Sequence, residues 1–184
     1  MKHGQNLQLT GGNNKADRRE LDFYPTPKDV TAALLDFLKL PIETIIWEPA
    51  CGDYAMSSVM EQRGYCVIKT DIKHGQDYFT THEQADAIIT NPPFNTSERF
   101  ITKAIQEAKT VAMLVKSQYW HARKRASLFM QHPPEWVLPL TWRPDFLGGA
   151  KGGAPTMECI WTVWNREYTG NAKYFPLLKP ETFN

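Results

Sequence analysis

The sequence predicts an α/β domain, a mostly parallel sheet with helices on both faces that ends in an antiparallel hairpin. Three observations carry this prediction. Short apolar runs alternate with amphipathic segments over most of the 184 residues, the pattern that strand–helix units require. Most of those runs end in Gly, Pro or acidic residues, the punctuation expected where strands stop. The last two runs are separated only by the Gly-rich "WRPDFLGGAKGGAPTM". With no helical segment to carry a crossover, they must pair antiparallel.

Taken in order, residues 1–20, "MKHGQNLQLTGGNNKADRRE", are polar and aperiodic and read as an N-terminal arm. No internal repeat or low-complexity block divides residues 21–184, which read as one domain. A helix lies in "TPKDVTAALLDFLKL", with Thr26 as N-cap, Pro27 at the first helical position and Asp29 at the positive helix end. Val30, Ala33, Leu34, Phe37 and Leu38 then share one face. "TIIWEPACG" is a buried strand running into a Gly loop, "MSSVMEQRG" a helix, and "CVIKTD" a strand ending in an acid. "DAIIT" and "TVAMLVKS" are the next strands, joined by a helix in "SERFITKAIQEAK". "HARKRASLFMQ" reads as helical, and "EWVLPLT" and "ECIWTVWN" as the closing strands.

The bulk composition is that of an ordinary globular protein, with 42% hydrophobic and 22% charged residues and a net charge of +1. That balance argues against a strongly basic nucleic-acid coat and leaves room for local basic patches. Cys51, Cys66 and Cys159 are too widely spaced for a metal-ligand or disulfide framework, and they suit a reducing cytosol. There is no long apolar span and no signal-like start, so a cytoplasmic setting without membrane or metal is expected.

Two stretches point to a site. In "DAIITNPPF" (86–94), an apolar strand meets two prolines that lack N–H groups and restrict the residue before them, so it must stop. An Asn side chain, stiffly held carbonyls and an aromatic ring are left at the strand's carboxyl end, where open α/β sheets bind ligands. In "IIWEPACGD", a glycine follows the first strand, and Asp71 closes the next strand roughly 20 residues on, as in nucleoside-cofactor sites. A nicotinamide cofactor would need the three-glycine fingerprint, but Gly52 is followed by Asp53, Tyr54 and Ala55. One glycine flanked by acids suits a cofactor carrying a sulfonium and an amino acid better than a pyrophosphate. S-adenosylmethionine is such a cofactor.

With "FYPTP" (23–27), "EPACGD" (48–53), "TDI" (70–72), "QDYF" (76–79) and "NPPF" (91–94) in that order, the chain resembles S-adenosylmethionine-dependent DNA adenine-N6 methyltransferases. "RPDFLGGAKGGAP" is similar to a loop of their small phage- and prophage-encoded members. The resemblance runs from about Asp22 to Arg166 and implies a seven-stranded, Rossmann-like class I methyltransferase fold. It also implies a bacterial host cell and a place in DNA modification. Carried onto this chain, it places Tyr24 and Thr26 near the cofactor's carboxylate, and Glu48, Ala50 and Gly52 along its methionine and ribose. Asp71 would hold the ribose hydroxyls, Ile72 and Phe79 would pack on the adenine, and Asp77 would accept from its amino group. One departure is Tyr54, where the family pattern has a second glycine; its side chain could crowd or cover the cofactor.

Asn91, Pro92, Pro93 and Phe94 would form the catalytic grip. Adenine's exocyclic amine is a poor nucleophile because its lone pair is delocalised. Acceptance of its two N–H groups by the Asn91 side chain and the Pro92 carbonyl would turn the lone pair toward the methyl group. Phe94 would stack a flipped base, returning ~1–3 kcal/mol against an unstacking cost of a few kcal/mol. The same grip serves RNA adenine or guanine, the cytosine amino group or a protein glutamine, and a catalytically silent binding subunit is a further alternative. Methylation at carbon 5 of cytosine is set aside, since it needs a thiolate that usually comes from a Pro-Cys pair and the cysteines here follow Ala50, Tyr65 and Glu158.

His121, Arg123, Lys124 and Arg125 form a basic cluster after the fourth strand, either a phosphate-holding patch or a solvated helix face. Arg143 and Lys151 lie in the Gly-rich loop, which resembles a backbone-following hairpin and is long enough to suggest a function. Only "TTHEQA" separates "QDYF" from the "DAIIT" strand, and little follows "CIWTVWNRE". Neither slot holds a recognition domain, which needs on the order of 50 residues. A short or degenerate target sequence is therefore expected.

Overall fold

The computed structural model describes residues 25–146 and 157–181. The residue 1–20 arm, Tyr24 and Lys151 lie outside them. The chain runs α1 (Lys28–Leu38), β1 (Ile45–Glu48), α2 (Ala55–Gln62), β2 (Cys66–Lys69), β3 (Ala87–Thr90), α3 (Ser97–Glu107) and β4 (Thr110–Lys116). It continues through α4 (Ala126–Gln131), β5 (Trp136–Pro139), β6 (Cys159–Asn165) and β7 (Lys173–Tyr174). The seven strands form one sheet in the order β2-β1-β3-β4-β6-β5-β7. β6 pairs antiparallel with both β4 and β5, and every other pairing is parallel. Six strands therefore share one direction and β6 alone opposes them. This bears out the mostly parallel sheet and the hairpin, whose last strand inserts between β4 and β5.

The apolar runs are continuous because the central strands are buried on both faces. Side chains alternate across the sheet with a period of two. On one face Ile46, Ala87, Ile89, Ala112, Leu114, Trp161 and Val163 pack against Val30 and Leu34 of α1 and Met60 of α2. On the other, Trp47, Ile88, Val111, Met113, Val115 and Trp164 meet Phe100, Ile101 and Ala104 of α3. Trp161 and Trp164 are structural. Both are buried, and their indole N–H groups donate to the Val30 and His132 carbonyls at 3.1 and 2.9 Å.

Three local expectations shift. Pro27, and not Thr26, caps α1, whose first residue is Lys28, and no side chain bonds there. The Thr26 hydroxyl is engaged elsewhere, accepting from the Asn91 amide at 3.1 Å. In "HARKRASLFMQ" the helix begins only at Ala126, after 3₁₀ turns at Ser117–His121 and Arg123–Arg125. Arg125 folds back there, its Nη1 donating to the Tyr119 carbonyl at 3.0 Å. The seventh strand, β7, has no apolar pattern to announce it. Backbone bonds from Lys173 to Glu135 and from Phe175 to Val137, at 2.8 and 3.1 Å, hold it on β5.

Candidate active site

β2 and β3 both pair with β1, on opposite sides. The chain therefore reverses its winding at β1, and a crevice opens beyond the carboxyl ends of these strands. A cavity of about 410 Å³ occupies it, a size typical of small-molecule sites at ~300–1,000 Å³. It is lined by Glu48 at the end of β1 and the residues after it (Pro49, Ala50, Cys51, Asp53), by those after β2 (Asp71 to Lys73, Asp77 to Phe79) and by those after β3 (Asn91 to Thr96). Pro25 and Thr26 close one side, with Met56 of α2 and Phe100 of α3. Three motifs far apart in sequence thus face one space, because three parallel strands end at one edge.

The loop after β1 takes a left-handed turn, with φ of 51° at Gly52 and 65° at Tyr54. Glycine enters that region freely, whereas a side chain resists it, which is the conformational reason a glycine suits position 54. Tyr54 does not crowd the cavity. Its ring stacks on His74, with centroids 5.6 Å apart, and its hydroxyl lies 3.2 Å from His74 Nε2. Gly52 does not line the cavity either; its N–H donates to Asp71 Oδ2 at 2.8 Å, while the Lys73 N–H bonds Oδ1 at 2.8 Å. Asp71 thus pins two strand ends together and caps the turn Ile72–His74. Two of the roughly four acceptor positions on its carboxylate remain for a ligand. Asp71→Ala should therefore lower folding stability by ~1–3 kcal/mol, because the buried Gly52 N–H loses its acceptor. Urea denaturation checks this, and an unchanged midpoint would deny Asp71 its structural role.

Glu48 is 2% exposed, and its Oε2 has no hydrogen-bond partner among the described residues. Burial pushes its carboxyl up from 4.5 to about 8, with Asp71 and Glu61 adding repulsion and Ser57 opposing in part. Ile72 is 73% exposed although it borders the cavity, an apolar side chain left bare. Asp77 accepts the Phe79 N–H through Oδ1 at 2.9 Å, and Arg99 covers the Phe79 ring at 3.9 Å.

Asn91 donates from Nδ2 to Thr26, and its Oδ1 has no hydrogen-bond partner among the described residues. The Pro93 carbonyl accepts from Thr96 N–H at 3.1 Å and Ser97 Oγ at 3.0 Å, seating the start of α3. The Pro92 carbonyl takes no part in that network. Phe94 is half-buried, and Lys116 places its ammonium 3.9 Å from the ring centroid. Among the described residues no carboxylate pairs with the Lys116 ammonium. Lys116 was missed in the sequence, although a lone lysine closing the apolar run "TVAMLVK" sits at the ligand edge by the same rule as Asn91.

The basic residues gather beyond β4 and β5, further along the same edge. His121, Arg123 and Lys124 are exposed. Arg125 is half-buried with its guanidinium 3.7 Å from the Tyr119 ring centroid, so it braces the loop. Arg143 is exposed and ion-paired with Glu158 at 2.9 Å.

No protein-family model and no curated protein matches the sequence. The fold is similar to that of a protein assigned as a class I S-adenosylmethionine-dependent methyltransferase from Listeria monocytogenes, at 12% identity and TM-score 0.59, over 91% of this chain and 67% of that one. A type I restriction-modification methyltransferase subunit from Streptococcus thermophilus aligns at 10% identity and TM-score 0.63, over 83% of this chain and 47% of its own. The 23S rRNA methyltransferase ErmE aligns at 11% identity and TM-score 0.58, over 79% and 70%. The chain spans about half the length of the restriction-modification subunit. At these identities the likeness is one of fold. The sheet is the Rossmann-like fold of class I methyltransferases.

Proposed function

We propose that this chain transfers a methyl group from S-adenosylmethionine to the exocyclic N6 amine of adenine in DNA. The observation that carries the reading is a single cavity that joins two halves. Glu48, Ala50, Asp71, Ile72, Asp77 and Phe79 line it on one side, and Asn91 to Phe94 on the other. The residues present fit the cofactor. Among the described residues one oxygen of the buried Glu48 carboxyl is unpartnered, which suits a cationic ligand, and Asp77 Oδ2 accepts no hydrogen bond, which suits the adenine amino group; bare Ile72 suits the adenine face. Thr26 lines the same cavity, and Tyr24 is proposed beside it from the resemblance alone.

When bound, S-adenosylmethionine supplies a methyl group on a positively charged sulfur. Asn91 Oδ1 and the Pro92 carbonyl accept the two N–H groups of the target amine, which localises the nitrogen lone pair. The prolines hold those acceptors stiffly, and placement of two reactants in line is worth up to ~7–11 kcal/mol. Phe94 stacks the extruded base.

Nucleic acid is favoured over a protein glutamine by the charge along the edge. Among the described residues Lys116 carries no carboxylate partner, and His121, Arg123 and Lys124 lie exposed after the same strand; Arg143, ion-paired with Glu158, and Lys151, from its place in the sequence, would add to them. An ammonium released from a phosphate contact removes about one unit from the salt dependence of binding. Lys116→Met should therefore weaken DNA binding and flatten its salt slope by about one, while cofactor affinity stays unchanged. Fluorescence anisotropy with duplex DNA over a salt series measures this; an unaltered slope would remove Lys116 from the DNA path. The proposed activity itself is tested with labelled cofactor and plasmid DNA. Label should pass to the DNA, and label passing only to RNA or protein would reject the reading.

A further inference from the structure

We propose that Arg99 is a positioning residue that holds Phe79 in place as the wall of the cofactor's adenine end. Arg99 stands in none of the motifs, and its role rests on the reading above, in which Phe79 packs beside the adenine. Next to the cavity lies a second depression, an open groove of about 470 Å³ whose lining includes Phe79, Asn95, Thr96, Arg99 and Thr102. Phe79, Asn95 and Thr96 border both spaces, whereas Arg99 borders the groove alone. The Phe79 ring is therefore a partition between the two, and the guanidinium reaches it from the groove.

A partition of this kind needs holding. The backbone of Phe79 is fixed by its N–H bond to Asp77 Oδ1 at 2.9 Å. Its ring is only half-buried and meets Phe100 edge-on, with centroids 5.2 Å apart, while the groove offers it space to turn into. Arg99, in the first turn of α3, occupies that side with its guanidinium carbon 3.9 Å from the ring centroid. Among the described residues no carboxylate pairs with Arg99, so no acid draws the guanidinium off the ring. A planar, weakly hydrated guanidinium is well suited to an aromatic face. The consequence is one of preorganisation. A ring released in the free protein has to be reordered when the cofactor binds, and that ordering is subtracted from the affinity. Arg99 orders the ring beforehand.

The test is calorimetric titration of S-adenosylmethionine into the wild type, Arg99→Gln and Arg99→Lys. Arg99→Gln should weaken binding about threefold, the size of one solvent-facing cation–π contact, and Arg99→Lys, which keeps a cation, should recover most of the loss. The sign is itself diagnostic. S-adenosylmethionine carries a net positive charge, so removing a nearby cation would by Coulomb repulsion alone strengthen binding. Phe79→Leu keeps an apolar wall without an aromatic face, and adding Arg99→Gln to it should bring no further loss. Unchanged or tighter binding by Arg99→Gln overturns the proposal. An equal loss in the Phe79→Leu background does so too, since Arg99 would then act through something other than the ring. Unchanged cofactor affinity together with a DNA salt slope lowered by about one would assign Arg99 to a phosphate instead. A wild type that binds no S-adenosylmethionine would sink the reading beneath the proposal, and the proposal with it.

Discussion

Asn91→Ala is expected to lower methyl transfer by ~10²–10³, the penalty typical of deleting one preorganised polar group aimed at the reacting atoms. Cofactor affinity should largely persist, because Thr26 alone of the described groups assigned to the cofactor bonds Asn91, and the others that line the cavity stand at or after the ends of β1 and β2. Folding should suffer little. The variant removes the donor to Thr26 Oγ1, and a hydroxyl deprived of one neutral hydrogen bond loses ~1 kcal/mol. The separation matters, since a residue that merely shaped the cavity would lower affinity and rate together. Calorimetry paired with single-turnover kinetics distinguishes the two, and a variant with wild-type turnover would remove Asn91 from the mechanism.

The second large effect is a pH dependence centred on Glu48. Its carboxyl titrates at about 8 in the folded protein against 4.5 unperturbed, chiefly through burial. Between those values the unfolded chain has released this proton and the folded chain retains it. Fewer protons are then bound in the unfolded state, so the contribution falls as pH rises through the window and levels off above about 8. The total is on the order of 5 kcal/mol. Glu48→Gln, neutral at every pH, lacks this slope. Urea denaturation from pH 5 to 9 should show Glu48→Gln gaining on the wild type up to about pH 8, and parallel curves would refute the burial argument. The cofactor connects to the same group: a cationic ligand favours the ionised carboxyl, so wild-type binding should release a proton at neutral pH. The Gln variant should bind more weakly and release none.

The elements legible in the sequence are those whose side chains decide them. Ile46, Ile88 and Met113 lie in strands buried on both faces, so the runs around them are continuously apolar and their ends sharply marked. β7 is held by backbone bonds at an exposed edge, where Tyr174 is 68% exposed, and no side-chain pattern could reveal it. In the site, strand-end motifs disclosed which residues would meet, because parallel strands bring their carboxyl ends together. What each residue touches was less legible. Asp71 reads as a ligand group yet also accepts two backbone N–H groups, and Gly52 serves that bond. Arg125 reads as one of four like cations, but it lies over Tyr119 because the chain turns back there. The Thr26–Asn91 bond joins segments with no local relation. Distant contacts of that kind emerge only when the sheet edge is assembled.

The central claim concerns the atom that receives the methyl group, and identifying the product tests it most directly. Unmethylated duplex DNA of mixed sequence, incubated with the protein and isotopically labelled S-adenosylmethionine, would be digested to nucleosides and analysed by mass spectrometry. The account predicts label in N6-methyldeoxyadenosine, absent with Asn91→Ala. Label confined to N4-methyldeoxycytidine, or present only in RNA or protein offered in parallel, would contradict it.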